Sequence, residues 1–245
     1  MLIRISSWEY NLQFIREGRL FMNPYQKFPD LEKEGDKIRG DELECITGLV
    51  RAEWGEIKID GGPTIQLSTK GNTPFTLNEP LKVIMRDPSL MGNLLCFHAI
   101  SPDWTKRRNK IDPINYEKGE CFILIYNIIE FKRRVNEKLN RMKLKPNWGL
   151  LQYYNENETQ EKLTPFFKSK RFEHEHEYRL FIRRKTNSAF ILNIGPLTDV
   201  AAIGPVSLLD QIGFNEDTIE PGLIRADIPK HLIEYVRKDE WQTLI

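Results

Sequence analysis

Two uninterrupted apolar runs, LLCFHAIS at 94–101 and CFILIY at 121–126, constrain this chain more than any other feature. Runs of that length without polar alternation belong to strands covered on both faces. Shorter strand-like segments surround them: LIRIS and RLFMN near the start, EIKID, TIQLS and LKVIM between 56 and 85, and YRLFI, FILNI and VAAIG toward the end. Gly61–Gly62, Gly71–Asn72 and Pro80 punctuate the early group as hairpin turns do.

Helical patterning is scarcer. Ser6 and Glu9 form a capping-box signature ahead of a helix carrying Trp8, Leu12 and Ile15, which Gly18 stops. NIIEFKRRVNEKLNRMKLK sets Ile128, Phe131, Val135, Leu139 and Met142 at helical spacing, with a basic opposite face and Pro146 beyond its end. The polar stretch YQKFPDLEKEGDKIRGDELEC predicts a surface loop and a short helix. Strands outnumber helices and no regular βαβ alternation appears. The predicted fold class is therefore α+β, a mixed, mostly antiparallel sheet with flanking helices. No repeat, low-complexity tract or linker divides the chain, so residues 1–245 read as a single domain.

Composition narrows the function classes. The chain is 40% hydrophobic and 29% charged, the balance of a globular protein rather than a disordered one. Its 36 basic and 35 acidic residues leave no global field that would draw it to nucleic acid or a membrane. Basic runs at Lys106–Arg108, Lys132–Arg134 and Arg183–Lys185 read as solvated faces. Cys45, Cys96 and Cys121 form no CxxC pair, and an odd number argues against a disulfide framework. The first residues lack a signal-peptide core and no apolar run spans a bilayer, so a cytoplasmic location without membrane partners is expected.

The segment KSKRFEHEHEYRLFI, 168–182, carries most of the chemistry. As a strand it directs Tyr178, Leu180 and Ile182 to the core and Glu173, Glu175, Glu177 and Arg179 to the other face. Same-face carboxylates about 7 Å apart repel, so at least one is expected to have a raised pKa where partly buried. An exposed edge strand whose charges block aggregation is the plainer alternative. His174 and His176 invite a metal reading, but strand alternation turns them away from the glutamates, and His98 and His231 lie far off without metal spacing. RGDELE, 39–44, sets Asp41 and Glu44 one helical turn apart, either as a surface turn or as a polar loop over a ligand. Neither a nucleophile elbow nor a phosphate-cradling glycine loop is present.

GRLFMNP, GDELE, CFHAIS, GECFILIYNIIEF and FKSKRFEHEHEYRLFI, in that order, resemble a widespread bacterial and phage family of unknown function. That family carries an early Asp-x-x-Glu segment, a Cys-Phe-Ser-like strand and a late Lys…Glu-x-Glu-x-Arg strand. Here its Asn-Asp-Pro reads Gly40-Asp41-Glu42 and its Cys-Phe-Ser reads Cys96-Phe97-His98. More remotely, the layout resembles ADP-ribosyltransferases, including toxins that modify nucleic acid.

The second resemblance implies an ADP-ribosyltransferase-like fold and NAD as substrate. It further implies a nucleic acid or protein acceptor, and an antitoxin or chaperone as a further partner. Arg4 then holds the dinucleotide, with Ser68, Thr69 and Asp41 as further binding residues. Glu177 stabilises the oxocarbenium-like cation formed as the nicotinamide–ribose bond breaks, and Glu175 handles the acceptor. Two alternatives stand beside this reading: a non-enzymatic interaction module, and a metal-dependent nuclease built on Asp41, Glu44, Glu175 and Glu177.

Overall fold

The computed structural model describes residues 1–35, 40–58, 64–70, 75–76, 78–107, 110–216 and 224–227. Arg39, the turns expected at Gly61–Gly62 and Gly71–Asn72, and His231 lie outside the described residues. The fold is α+β around a large antiparallel sheet. Its eight strands are β1 (Leu2–Ser6), β2 (Arg19–Pro24), β3 (Gly92–Ala99), β4 (Cys121–Ile125), β5 (Pro146–Leu150), β6 (Glu177–Arg183), β7 (Phe190–Asn193) and β8 (Ala201–Pro205). They run β5-β6-β3-β1-β4-β8, while β2 pairs with both β3 and β7. The helices are α1 (Trp8–Glu17), α2 (Lys27–Lys33), α3 (Pro102–Arg107) and α4 (Ile128–Arg141). Among the described residues no helix is long and apolar enough to cross a membrane.

The two apolar runs become central strands because each face of the sheet has a cover. Along β4, Cys121, Ile123 and Ile125 join the core beneath α1 and α4, while Phe122 and Leu124 join the opposite core with Trp104, Leu209 and Phe214. On α4 the helical stripe buries Phe131, Val135 and Leu139 completely, each contributing about 1.5–3 kcal/mol. Phe131 stacks on Phe14 of α1 at 6.1 Å between ring centroids, tying the two helices together. The helix stops at Arg141, and Lys143 turns the chain at φ 58°, so Pro146 opens β5 rather than ending α4. Part of its basic face is neutralised: Arg133 pairs with Glu130 and Glu137, and Arg134 with Glu130 and Asp199.

Two readings of the first segment shift and one holds. Ser6 ends β1, and Ser7 occupies the start of α1 without a side-chain cap, so the capping-box pattern has no counterpart. Gly18 does terminate α1, at φ 63°, and a Cβ there would lie 1.8 Å from the Gly195 carbonyl oxygen. The stretch 40–45, expected on the surface, is buried at Asp41, Leu43 and Glu44.

One departure from regular pairing positions the site. β3 pairs with β6 over seven residues and β1 with β4 over five, but β1 meets β3 only at Leu2↔Ala99 and Ile3↔His98. The same edge of β3 is next engaged by β2, at Asn23↔Leu94 and Pro24↔Asn93. Between these contacts the sheet parts, with Arg4 to Ser6 on one side and Leu95 to Phe97 on the other.

Candidate active site

The Glu-x-Glu segment is not one continuous strand. A 3-10 turn covers Lys170–Glu175, His176 takes the left-handed conformation at φ 39°, and β6 begins at Glu177. His is among the residues that tolerate this region, and two hydrogen bonds hold it there. His176 Nδ1 donates to the Ala99 carbonyl at 2.6 Å, and Ala99 N–H donates to the His176 carbonyl at 2.8 Å. His174 Nδ1 meets a different carbonyl, that of Arg171. Alternation therefore describes only Glu177 onward: Tyr178, Leu180 and Ile182 face the α4 core as expected, and Glu177 and Arg179 face the other side. Glu175 joins them through the His176 turn, not through strand register. β6 is an interior strand between β5 and β3, so the exposed-edge reading does not hold.

What the turn assembles is an alternating row of charges. Arg179 forks across Glu44, Nη1 to Oε1 and Nη2 to Oε2, each at 2.8 Å, and its Nε donates to Glu177 Oε1 at 2.7 Å. Lys168 Nζ reaches Glu177 Oε2 at 3.4 Å and Glu175 Oε2 at 2.5 Å. Lys118 Nζ closes the row on Glu175 Oε1 at 2.7 Å. Glu44, Glu175, Glu177, Lys168 and Arg179 are all buried. Gly119 brings Lys118 here, since its Cα packs so closely on the Ser6 backbone that a Cβ would lie 2.2 Å from it.

Three carboxylates against three cations leave no net charge. That balance is what makes burial of ions tolerable. Burial alone would raise the Glu177 carboxyl, but Arg179 and Lys168, with hydrogen bonds from Arg179 and the Cys96 thiol, hold it well below the usual carboxylate range. The raised pKa expected from carboxylate repulsion is absent at Glu177 because cations separate the two acids. Burial likewise opposes the charge on Lys168, yet Glu175 and Glu177 raise its pKa above the ordinary value. Burial, then Glu177, pushes the Cys96 thiol well up, so Cys96 is an unreactive donor.

From Arg179 to Lys118 the row forms one wall of a cavity of about 390 Å³ that occupies the parting of the sheet. Arg4 and Ser6 of β1 line it, with Phe21 of β2, Cys96 and His98 of β3, and Glu175 and Glu177. Its volume lies within the range of small-molecule sites. Arg4 differs from every other cation there. Its guanidinium packs 5.9 Å from the centre of the Phe14 ring, and its buried Nε has no hydrogen-bond partner among the described residues. Burial lowers its pKa, and among the described residues no carboxylate offsets that effect.

No family model, curated protein or solved structure matches the chain. The site is therefore read from its own groups. Arg4, Glu175 and Glu177, distant in sequence, share the cavity. Ser68, Thr69 and Asp41 do not line it. Ser68 and Thr69 belong to the region of a separate three-stranded sheet, where Ser68 Oγ accepts from Lys70 N–H and Thr69 bonds the Glu53 carbonyl. Asp41 lies behind the row, paired with Arg171 at 3.1 Å. Pattern reasoning gave no role to Lys118 or Lys168. Lys168 stood in the late motif, but nothing in the spacing of Lys118 connects it with residue 175.

Proposed function

We propose that this protein is an ADP-ribosyltransferase that uses NAD to modify a nucleic acid or protein acceptor, in the service of a toxin or antiphage defence role. The observation that carries the proposal is the shared cavity: Arg4 and the carboxylates Glu175 and Glu177 line one space of about 390 Å³. A half-buried guanidinium whose buried Nε has no partner, and which pairs with no carboxylate among the described residues, suits the pyrophosphate of a dinucleotide, and aromatic walls such as Phe21 and Phe97 suit its rings.

The division of labour follows from the electrostatics. Glu177 stays ionised through Arg179 and Lys168, so it presents a fixed negative charge where positive charge develops on the ribose. A carboxylate held this firmly is a charge stabiliser, not a proton carrier. Glu175 is the group that orients the acceptor, approached past Lys118, whose side chain is 24% exposed against 7% for Lys168. Arg179 and Lys168 act as positioning residues, fixing both acids in the cavity wall.

The complete pairing of both glutamates favours one other reading, a binding module in which the charged row only holds the fold. The nuclease reading fits less well. Arg179 fills the space between Glu44 and Glu177 where a bridging cation would sit, and among the described residues no cluster of three or more acidic, His or Cys side chains forms a metal site.

The free, folded chain incubated with NAD labelled in the adenylate half, together with cell extract, separates the two surviving readings. Transfer of label to nucleic acid or to protein is the expected result and identifies the acceptor class. Unlabelled macromolecules, with both classes present, would leave the binding module standing.

A further inference from the structure

A second cavity, of about 230 Å³, shares Arg4, Tyr10 and Phe21 with the first and adds Gln13 and Arg19. Strand alternation explains the arrangement. Arg4 lies on the α1 side of β1, with Leu2, whereas Glu177 and Arg179 lie on the opposite side of the sheet. Because the sheet parts beside Arg4, this one guanidinium borders both spaces. Arg19, at the start of β2, is half-buried and donates from Nη1 to Gln13 Oε1 at 2.9 Å. Among the described residues neither arginine has an ion pair with a carboxylate. Among the described residues Glu9, exposed on the first turn of α1, is the one acidic side chain in the lining. Two arginines without ion pairs about one small polar cavity, one with a buried orphan donor, form a receptor for a multiply charged anion.

We propose that the second cavity is a phosphate subsite, in which Arg4 and Arg19 clamp the phosphates of a nucleotide. Gln13 orients the Arg19 fork, and the open Tyr10–Phe21 pair, 6.0 Å between ring centroids, supplies the surface on which the base stacks. Joined to the transferase reading, this gives the dinucleotide a direction. The adenylate half lies on the α1 side and the nicotinamide ribose on the Glu177 side, with the pyrophosphate at Arg4. The subsite itself stands on the arginines and does not require turnover.

The test is equilibrium binding of ADP, AMP and adenosine to the full chain by calorimetry. ADP is expected to bind more tightly than AMP, and adenosine more weakly than either, with ADP affinity falling as salt rises. Arg19→Gln should weaken ADP by about tenfold or more, as expected for losing a charge-assisted contact, and leave adenosine unchanged. Arg4→Gln should weaken ADP similarly, and unchanged circular dichroism of both variants establishes that they fold. Equal affinity for ADP and adenosine, or an Arg19→Gln protein that binds ADP as well as the wild type, would overturn the proposal. Nicotinamide release from NAD is measured separately: turnover with no Arg19 effect removes the subsite alone, whereas ADP binding without turnover removes the transferase alone.

Discussion

Burial pushes two acids, Glu177 and Asp41, the same way, yet their net shifts are opposite, and the difference lies in what stands beside them. Glu177 has Arg179 and Lys168 against it and is held far down. Asp41 is 1% exposed, has one oxygen without a partner, and is raised to about 6, first by burial and then by the nearby Glu44 charge. A folded pKa above the unfolded one means that Asp41 favours the native state below about pH 4 and loses that contribution as pH rises to about 6. A shift of that size amounts to about 3 kcal/mol. Glu177 acts in reverse: its contribution is full above the unfolded carboxylate range and fades as pH falls below it. Asp41→Asn keeps an acceptor for the Leu43 N–H and removes the buried charge. Denaturant midpoints should therefore match the wild type at pH 4 and exceed it at pH 8. A variant no more stable than wild type at pH 8 would mean that Asp41 is not the group carrying this charge cost.

Between elements, the 40–45 segment and β6 are locked by the fork of Arg179 on Glu44. Arg179 keeps Glu177 when Glu44 is replaced, but the buried row is left with one positive charge in excess, so Glu44→Gln should cost about 3–5 kcal/mol in unfolding free energy. A loss below about 1 kcal/mol would show the fork to be replaceable. Lys118→Ala, at the exposed end of the row, should cost far less, since solvent reaches Glu175 when it leaves. The strands themselves were readable because hydrophobic runs and turn residues are local signals: β1, β2, β3, β4 and β6 fall where LIRIS, RLFMN, LLCFHAIS, CFILIY and YRLFI indicate. Within the charged row, strand period accounts only for Glu177 and Arg179. Glu175 arrives through a left-handed His176, Lys118 through a glycine packed on Ser6, and Glu44 through a loop whose polarity suggested solvent. Each is a consequence of long-range packing, to which local pattern is blind.

At the scale of the molecule, the feature that matters is the parting of the sheet between β1 and β3. An unbroken ladder there would bury Arg4 in strand packing and close both cavities. With the ladder reduced to two residue pairs, the first strand faces the charged row across a space, and residues 4 and 177 line one cavity, where the transferase proposal has them act on one ligand. The most direct measurement of that claim is the rate of nicotinamide release from NAD by the wild type, Arg4→Gln and Glu177→Gln, each checked for native circular dichroism. Among the described residues Arg4→Gln disturbs no ion pair, so it remains informative should Glu177→Gln fold poorly. Release by the wild type, reduced about 100-fold or more in Glu177→Gln and raised in KM in Arg4→Gln, is the predicted result. Wild-type protein that releases no nicotinamide, or variants that release it at the wild-type rate and KM, would contradict it.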